Sequence, residues 1–240
     1  MIVGCGGIGA WAVRLLQQAQ ESDLLLVDRD VVKSRNLLRQ PFRQRDIRKT
    51  KASALARRND TPIESWIQEV DFDKLNPKPD WLLSCVDNHP ARAYTLDLSD
   101  RYSIPSIVAG NEVESYQVLV YKPAWKGTPR DPRVAYPEIE SDLSDDPTKP
   151  GCSDEQRQGN AQSVLANYMA AGMLVRLLTL WQSKVKDLTD EELNFLVNEV
   201  NGNLFKTRET YYALNNSSSV ERRDTASDKC ALGEPVILEI

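Results

Sequence analysis

Short apolar runs alternate with stretches of helical apolar spacing along the first half of this chain. Met1-Ile2-Val3 reads as the end of a buried strand, a glycine turn Gly4-Cys5-Gly6-Gly7-Ile8-Gly9 follows, and Ala10 to Ala19 carries helix formers with apolar residues at helical spacing. Leu24 to Val27 is a continuous apolar run, the mark of a strand covered on both faces, and it ends at Asp28. Asp46 to Arg58 is a predicted helix, Pro62 to Trp66 a weak strand, Trp81 to Val86 a strong strand, Ala91 to Tyr102 a helix, and Pro105 to Gly110 and Ser115 to Tyr121 two further strands. Strand and helix in this order predict an α/β fold: a Rossmann-like, doubly wound sheet, mostly parallel, with antiparallel additions in the C-terminal half.

Beyond Tyr121 the pattern breaks. Residues 122–151 hold six of the thirteen prolines and no apolar period, so they read as a long loop. Ala161 to Trp181 resumes as a long apolar helix; Thr189 to Val200 is read as a helix, Phe205 to Leu214 as a strand, Asn215 to Asp228 as flexible and Val236 to Ile240 as a closing strand. The expected division is a nucleotide-binding core over 1–121, a crossover loop over 122–160 and a C-terminal part over 161–240 that completes the same domain.

Composition narrows the chemistry. The 240 residues are expected to bury a substantial core, and no apolar run is read as long enough to span a bilayer, so no membrane partner is expected. No signal segment is seen ahead of the glycine turn, and four scattered cysteines without a C-x-x-C pair predict a reducing cytoplasm, no disulfides and no zinc site. The one histidine, His89, read as a loop residue before Pro90, argues against His-dependent triads and multi-His metal centres. The net charge of −5 hides a segregation: residues 28–58 hold eleven Lys/Arg against three Asp, while residues 131–155 hold eight acids against two bases. The basic stretch overlies the glycine turn and lacks interleaved aromatics, which favours a phosphate pocket over a nucleic-acid surface. The acidic stretch reads as solvated and mobile.

Asp28, Arg39, Lys51 and Asp87 follow predicted strands, on the side where open α/β sheets bind ligands. Gly4, Gly6, Gly7 and Gly9 allow close approach of phosphates, and Asp28 suits ribose hydroxyls. Asn36, Arg39 and Lys51 suit phosphate oxygens, and Asp87 suits Mg²⁺, a hard cation that combines few carboxylates with substrate oxygens. Singly, each is an ordinary surface cation, turn residue or helix cap; the joint spacing makes the case. A glycine turn followed by Asp28 alone would equally fit an NAD-binding oxidoreductase, but that reading leaves Asn36, Arg39 and Lys51 unexplained.

With Asp28-x-Asp30-x-Val32-x-x-x-Asn36-Leu37-x-Arg39-Gln40, Lys51-Ala52 and Asp87-Asn88 placed after Gly4-x-Gly6-Gly7-x-Gly9, the chain resembles the ThiF/MoeB/ubiquitin-activating-enzyme (E1-like) family from Met1 to about Leu178. Within it the chain is most similar to bacterial ThiF-like proteins that lack the zinc-binding C-x-x-C pairs. The resemblance implies ATP-dependent adenylation of the C-terminal carboxylate of a ubiquitin-like or sulfur-carrier protein, with release of pyrophosphate. It assigns the ribose to Asp28, the phosphates to Asn36, Arg39 and Lys51, and magnesium to Asp87, with Asp30 and Asn88 beside the nucleotide; Lys49 competes with Lys51 for its register. It also implies a homodimer and a possible conjugating-enzyme partner. Cys152 resembles the cysteine of the family's crossover loop, where a thiolate captures the acyl-adenylate as a thioester, and Arg157 is the nearest cation to lower its pKa.

Two departures from the family pattern stand out. The zinc pairs are absent, and so is the arginine that relatives carry ahead of the first strand. An upstream start, a substitute arginine or subunit, and a non-catalytic partner role each account for the second.

Overall fold

The computed structural model describes residues 1–19, 23–111, 115–142, 164–184, 199–203, 208–214 and 220–224. Its strands are β1 (Ile2–Val3), β2 (Leu25–Val27), β3 (Thr61–Ile63), β4 (Leu82–Ser84), β5 (Ser106–Asn111), β6 (Ser115–Tyr121), β7 (Glu199–Asn203), β8 (Arg208–Leu214) and β9 (Val220–Asp224). They form one nine-stranded sheet in the order β3-β2-β1-β4-β5-β6-β7-β8-β9. The first five pair in parallel and the rest antiparallel, with β1 in register Ile2↔Leu26 and Ile2↔Leu83. The expected α/β class and its antiparallel C-terminal additions are therefore present.

Alternation along the strands sorts the core onto two faces. Ile2, Leu26, Leu83, Ile107, Val118 and Val120 pack beneath α1 (Gly7–Gln18) and α6 (Val164–Lys184), with Leu16, Leu174 and Trp181 closing that layer. Val3, Val27, Leu82 and Leu98 form the opposite face, continued by Leu96, Val108, Leu119 and Tyr121 beneath α3 (His89–Tyr102). Burial on both faces explains why β1, β2 and β4 read as continuous apolar runs. Pro62 is tolerated in β3 because that strand is an edge.

Several expectations are corrected. The helix predicted over Asp46 to Arg58 is only α2 (Lys51–Leu55): Asp46 ends a 3-10 turn whose start it caps through Arg43 N–H, Arg48 has φ +74°, and Thr50 caps the helix that follows. His89 is the first residue of α3 rather than a loop residue. The segment after Tyr121 forms α4 (Pro132–Ala135) and α5 (Glu138–Ser141), so its described part is not structureless; Asp131 is 2% exposed, whereas Glu138 and Glu140 are solvated as expected. Glu199 and Val200 begin β7 instead of ending a helix, and β9 lies inside the stretch read as flexible. Residues 189–198 and 236–240 lie outside the described residues. Contrary to expectation, Val164–Ser183 has the length and apolarity of a membrane span, but half of it is buried, as in a core helix.

An ion network fastens α4 to α3 and β6. Arg133 Nε donates to Asp131 Oδ1 at 2.9 Å, its Nη1 reaches Asp100 Oδ2 at 3.0 Å and Asp97 Oδ1 at 3.2 Å, and its Nη2 donates to the Tyr121 hydroxyl at 2.7 Å. Tyr121 in turn donates to Asp100.

Candidate functional site

The carboxyl ends of the parallel strands meet at the reversal between β1 and β4, where such sheets hold ligands. Each glycine of the turn after β1 has its own reason. Gly4 sits at φ +87°, and a side-chain carbon there would lie 2.9 Å from the Cys85 carbonyl oxygen. One on Gly9 would lie 1.8 Å from the Gly4 carbonyl oxygen. Gly7 abuts Asn167 of α6, whereas Gly6 faces open space, which leaves the backbone approachable. Cys5 within the turn is fully buried, and burial, then Asp28, pushes its thiol well above the ordinary range. Cys85 is likewise pushed by burial to about 12, so both are inert packing residues, as expected.

Asp28 follows β2 and turns its carboxylate to the glycine turn, accepting from Cys5 N–H and Asp30 N–H, each at 2.7 Å. Burial raises its pKa, and the Lys51 ammonium works against that. Lys51 is 21 residues from Asp30 in sequence yet donates to Asp30 Oδ2 at 2.7 Å. The connecting loop folds back on itself through Val32 N–H to Lys49 O and a Val31–Thr50 bridge, and Lys51 N–H closes it onto Asp30 O. Burial alone would lower the Lys51 pKa, but Asp28, Asp30 and Asp87 together raise it, so the ammonium stays charged. Lys49 points elsewhere, half exposed and 3.3 Å from Asp46. Geometry therefore chooses Lys51 over Lys49 as the cation among these carboxylates.

Asn36 is buried, and its Oδ1 accepts from Lys33 N–H at 2.8 Å, fixing the 3-10 turn Ser34–Leu38. Arg39 ends that turn, its carbonyl oxygen accepting from Trp11 Nε1 at 3.3 Å, so α1 carries this turn beside its own start. The Arg39 guanidinium is half-buried and forms no ion pair among the described residues. Asp87, after β4, is exposed and without an ion pair among the described residues. Asn88 caps α3, its Oδ1 accepting from Ala91 N–H at 2.9 Å, which commits that oxygen to structure. Among the described residues no three His, Cys, Asp or Glu converge on a metal position. The donor set is one free carboxylate on an open strand end, which fits a Mg²⁺ ion shared with substrate phosphates and not a protein cage.

Asp28, Asp30, Lys51 and Asp87 are thus brought together, with Arg39 and Asn36 held on the neighbouring turn. Cys152 and Arg157 lie outside the described residues. On the β5 side of Asp87 a cavity opens between α3, β6 and α5, lined by His89, Arg92, Gly110, Gln117, Tyr136 and Glu138; Arg92 Nη2 also donates to Val86 O at 3.3 Å. The sequence reading passed over Trp11, Arg92 and Asn167. Only Asn167 left a signal, as a single polar residue in the apolar run from Val164 to Met169.

A family model described as "ThiF family" matches residues 1–218. Among solved structures the chain is similar to E. coli MccB with ATP, at 19% identity and TM-score 0.57, covering 96% of this chain and 64% of that one. It is also similar to E. coli MccB with succinimide, at 20% identity and TM-score 0.61, covering 91% and 65%, and to PaaA, at 17% identity and TM-score 0.64, covering 88% and 70%. These identities speak for a shared fold, and the chain spans a little under two thirds of the length of MccB. No curated protein matches.

Proposed function

The chain belongs to the ThiF family, and from that premise we propose that it activates a carboxylate as an acyl-adenylate, taking ATP as co-substrate. A carboxylate oxygen attacks the α-phosphorus of ATP, the bond from that phosphorus to the bridging oxygen breaks, and pyrophosphate leaves. Both reactants are anions, so the barrier falls by positioning and charge neutralisation, without a protein base. The observation that carries the reading is Lys51, nearly buried and charged, among Asp28, Asp30 and Asp87, which follow β2 and β4. Asp28 would hold the ribose, the turn beside Gly6 and the cations Lys51 and Arg39 the phosphates, and Asp87 would ligate Mg²⁺, which neutralises phosphate charge when bound. MccB solved with ATP and with MccA offers a precedent for the fold.

With the nucleotide laid from β2 toward β4, the approach we propose for the carboxylate is from the β5 side, past the Arg92 cavity. The acid we propose is the C-terminus of a ubiquitin-like or sulfur-carrier protein, or of a peptide, with Cys152 as a thiol that could then take the acyl group. The test is exchange of labelled pyrophosphate into ATP in the presence of candidate carriers. Wild-type protein is expected to catalyse it and Asp87→Ala to lose it; exchange by Asp87→Ala at the wild-type rate would refute the assignment.

A further inference from the structure

The face that α6 lays on α1 is apolar except at Asn167. This side chain is fully buried, and neither its oxygen nor its nitrogen has a hydrogen-bond partner. Folded proteins almost always satisfy such groups, so an orphaned carboxamide calls for a functional reason or an absent ligand. Its position supplies one. The carboxamide lies so close to Gly7, the first residue of α1, that a side-chain carbon there would fall 2.5 Å from Oδ1 and 2.8 Å from Nδ2.

That is the end of a 12-residue helix whose first-turn N–H groups have no intrahelical acceptor and whose dipole favours an anion. Gly6, the N-cap, offers no side chain to satisfy them. A buried amide and a row of backbone donors therefore meet at one spot. A purely structural role would be served as well by leucine, which has the same number of side-chain heavy atoms and no polar group to desolvate.

We propose that Asn167 is a phosphate-binding residue: its amide N–H donates to a phosphate oxygen that the start of α1 also holds. The inference rests on the nucleotide reading above. The two ends of a carboxamide exchange by a flip about its last torsion, so the donor can face the anion. The contribution is a neutral hydrogen bond.

The test titrates Mg-ATP, and separately inorganic tripolyphosphate, into wild type, Asn167→Leu and Asn167→Asp by calorimetry, and melts each free protein. Asn167→Leu is expected to bind both ligands about ten- to hundredfold more weakly while its free form melts no lower than wild type. Asn167→Asp, nearly isosteric, is expected to lose at least as much, because a carboxylate then faces the phosphates, and it serves if the leucine variant does not fold. Wild-type affinity in these variants would make Asn167 a packing residue. Loss of affinity for Mg-ATP with tripolyphosphate binding intact would place its effect away from the phosphates and overturn the proposal. Wild type that binds neither ligand would remove the nucleotide reading as well, whereas undiminished binding by the variants removes this inference alone.

Discussion

Lys51→Ala will lower kcat/KM for Mg-ATP in pyrophosphate exchange by about 10²–10³-fold, the usual loss when one preorganised donor to developing charge is removed. Lys51→Arg will not restore it. The ammonium is enclosed at the first turn of α2 with Asp30 Oδ2 2.7 Å away, and a planar guanidinium, one atom longer and two heavy atoms larger, cannot occupy that place without moving Asp28 or Asp30. The ion pair with Asp30 is not what the variant is expected to reveal, because Asp30 is mostly exposed and such a pair contributes at most about 1 kcal/mol. Steady-state exchange rates for the three proteins at varied Mg-ATP check this, and Lys51→Ala with unchanged kcat/KM would dismiss Lys51 from the site.

Arg133→Ala will destabilise the fold by about 3–5 kcal/mol, because it leaves the Asp131 carboxylate buried without its partner and frees Asp100 and Tyr121 from theirs. Burial on its own would raise the pKa of Asp100 and of Asp131. Hydrogen bonds from Tyr121, Lys126 and Arg133 overcome this at Asp100, and those from Arg133 and the Gly127 N–H do so at Asp131, so both end below the ordinary 3.8. A depressed carboxylate contributes stability that is present above the unfolded value and lost as pH falls through the folded value. Wild type should therefore lose stability below about pH 3.8, and the gap to Arg133→Ala should narrow there. Urea unfolding of both proteins at neutral and acid pH measures it; a constant gap would mean that the carboxylates are not what the arginine holds.

How far the sequence carried the fold depends on what stabilises each element. Strands β1, β2, β4, β5 and β6 are covered on both faces, so apolar runs announce them to within a residue or two. Helix α2 was overdrawn because its predicted first half is spent on a backward-folding loop held by Asp46 and the positive φ of Arg48, which helical spacing does not register. Helices α4 and α5 span four residues each, too few to leave a period to read, and only α4 carries the Arg133 network. Strand β9, Val-Glu-Arg-Arg-Asp, is polar and held by its hairpin with β8, so composition hides it.

The same distinction governs the site. Asp28 and Asp87 could be placed because each directly follows a legible strand. Lys51 could be favoured but Lys49 stayed a competing register, because the choice is made by the loop's Val31–Thr50 bridge. Asn167 escaped because its importance lies in contact with Gly7, 160 positions away, and in hydrogen bonds it does not make.

Whether this site takes ATP is decided most directly by melting the purified protein with Mg-ATP, with NAD and with neither. At a hundredfold excess over Kd, a ligand bound only to the native state adds about 2.7 kcal/mol. A rise in Tm with Mg-ATP and none with NAD is the result predicted; a rise with NAD and none with Mg-ATP would contradict the account.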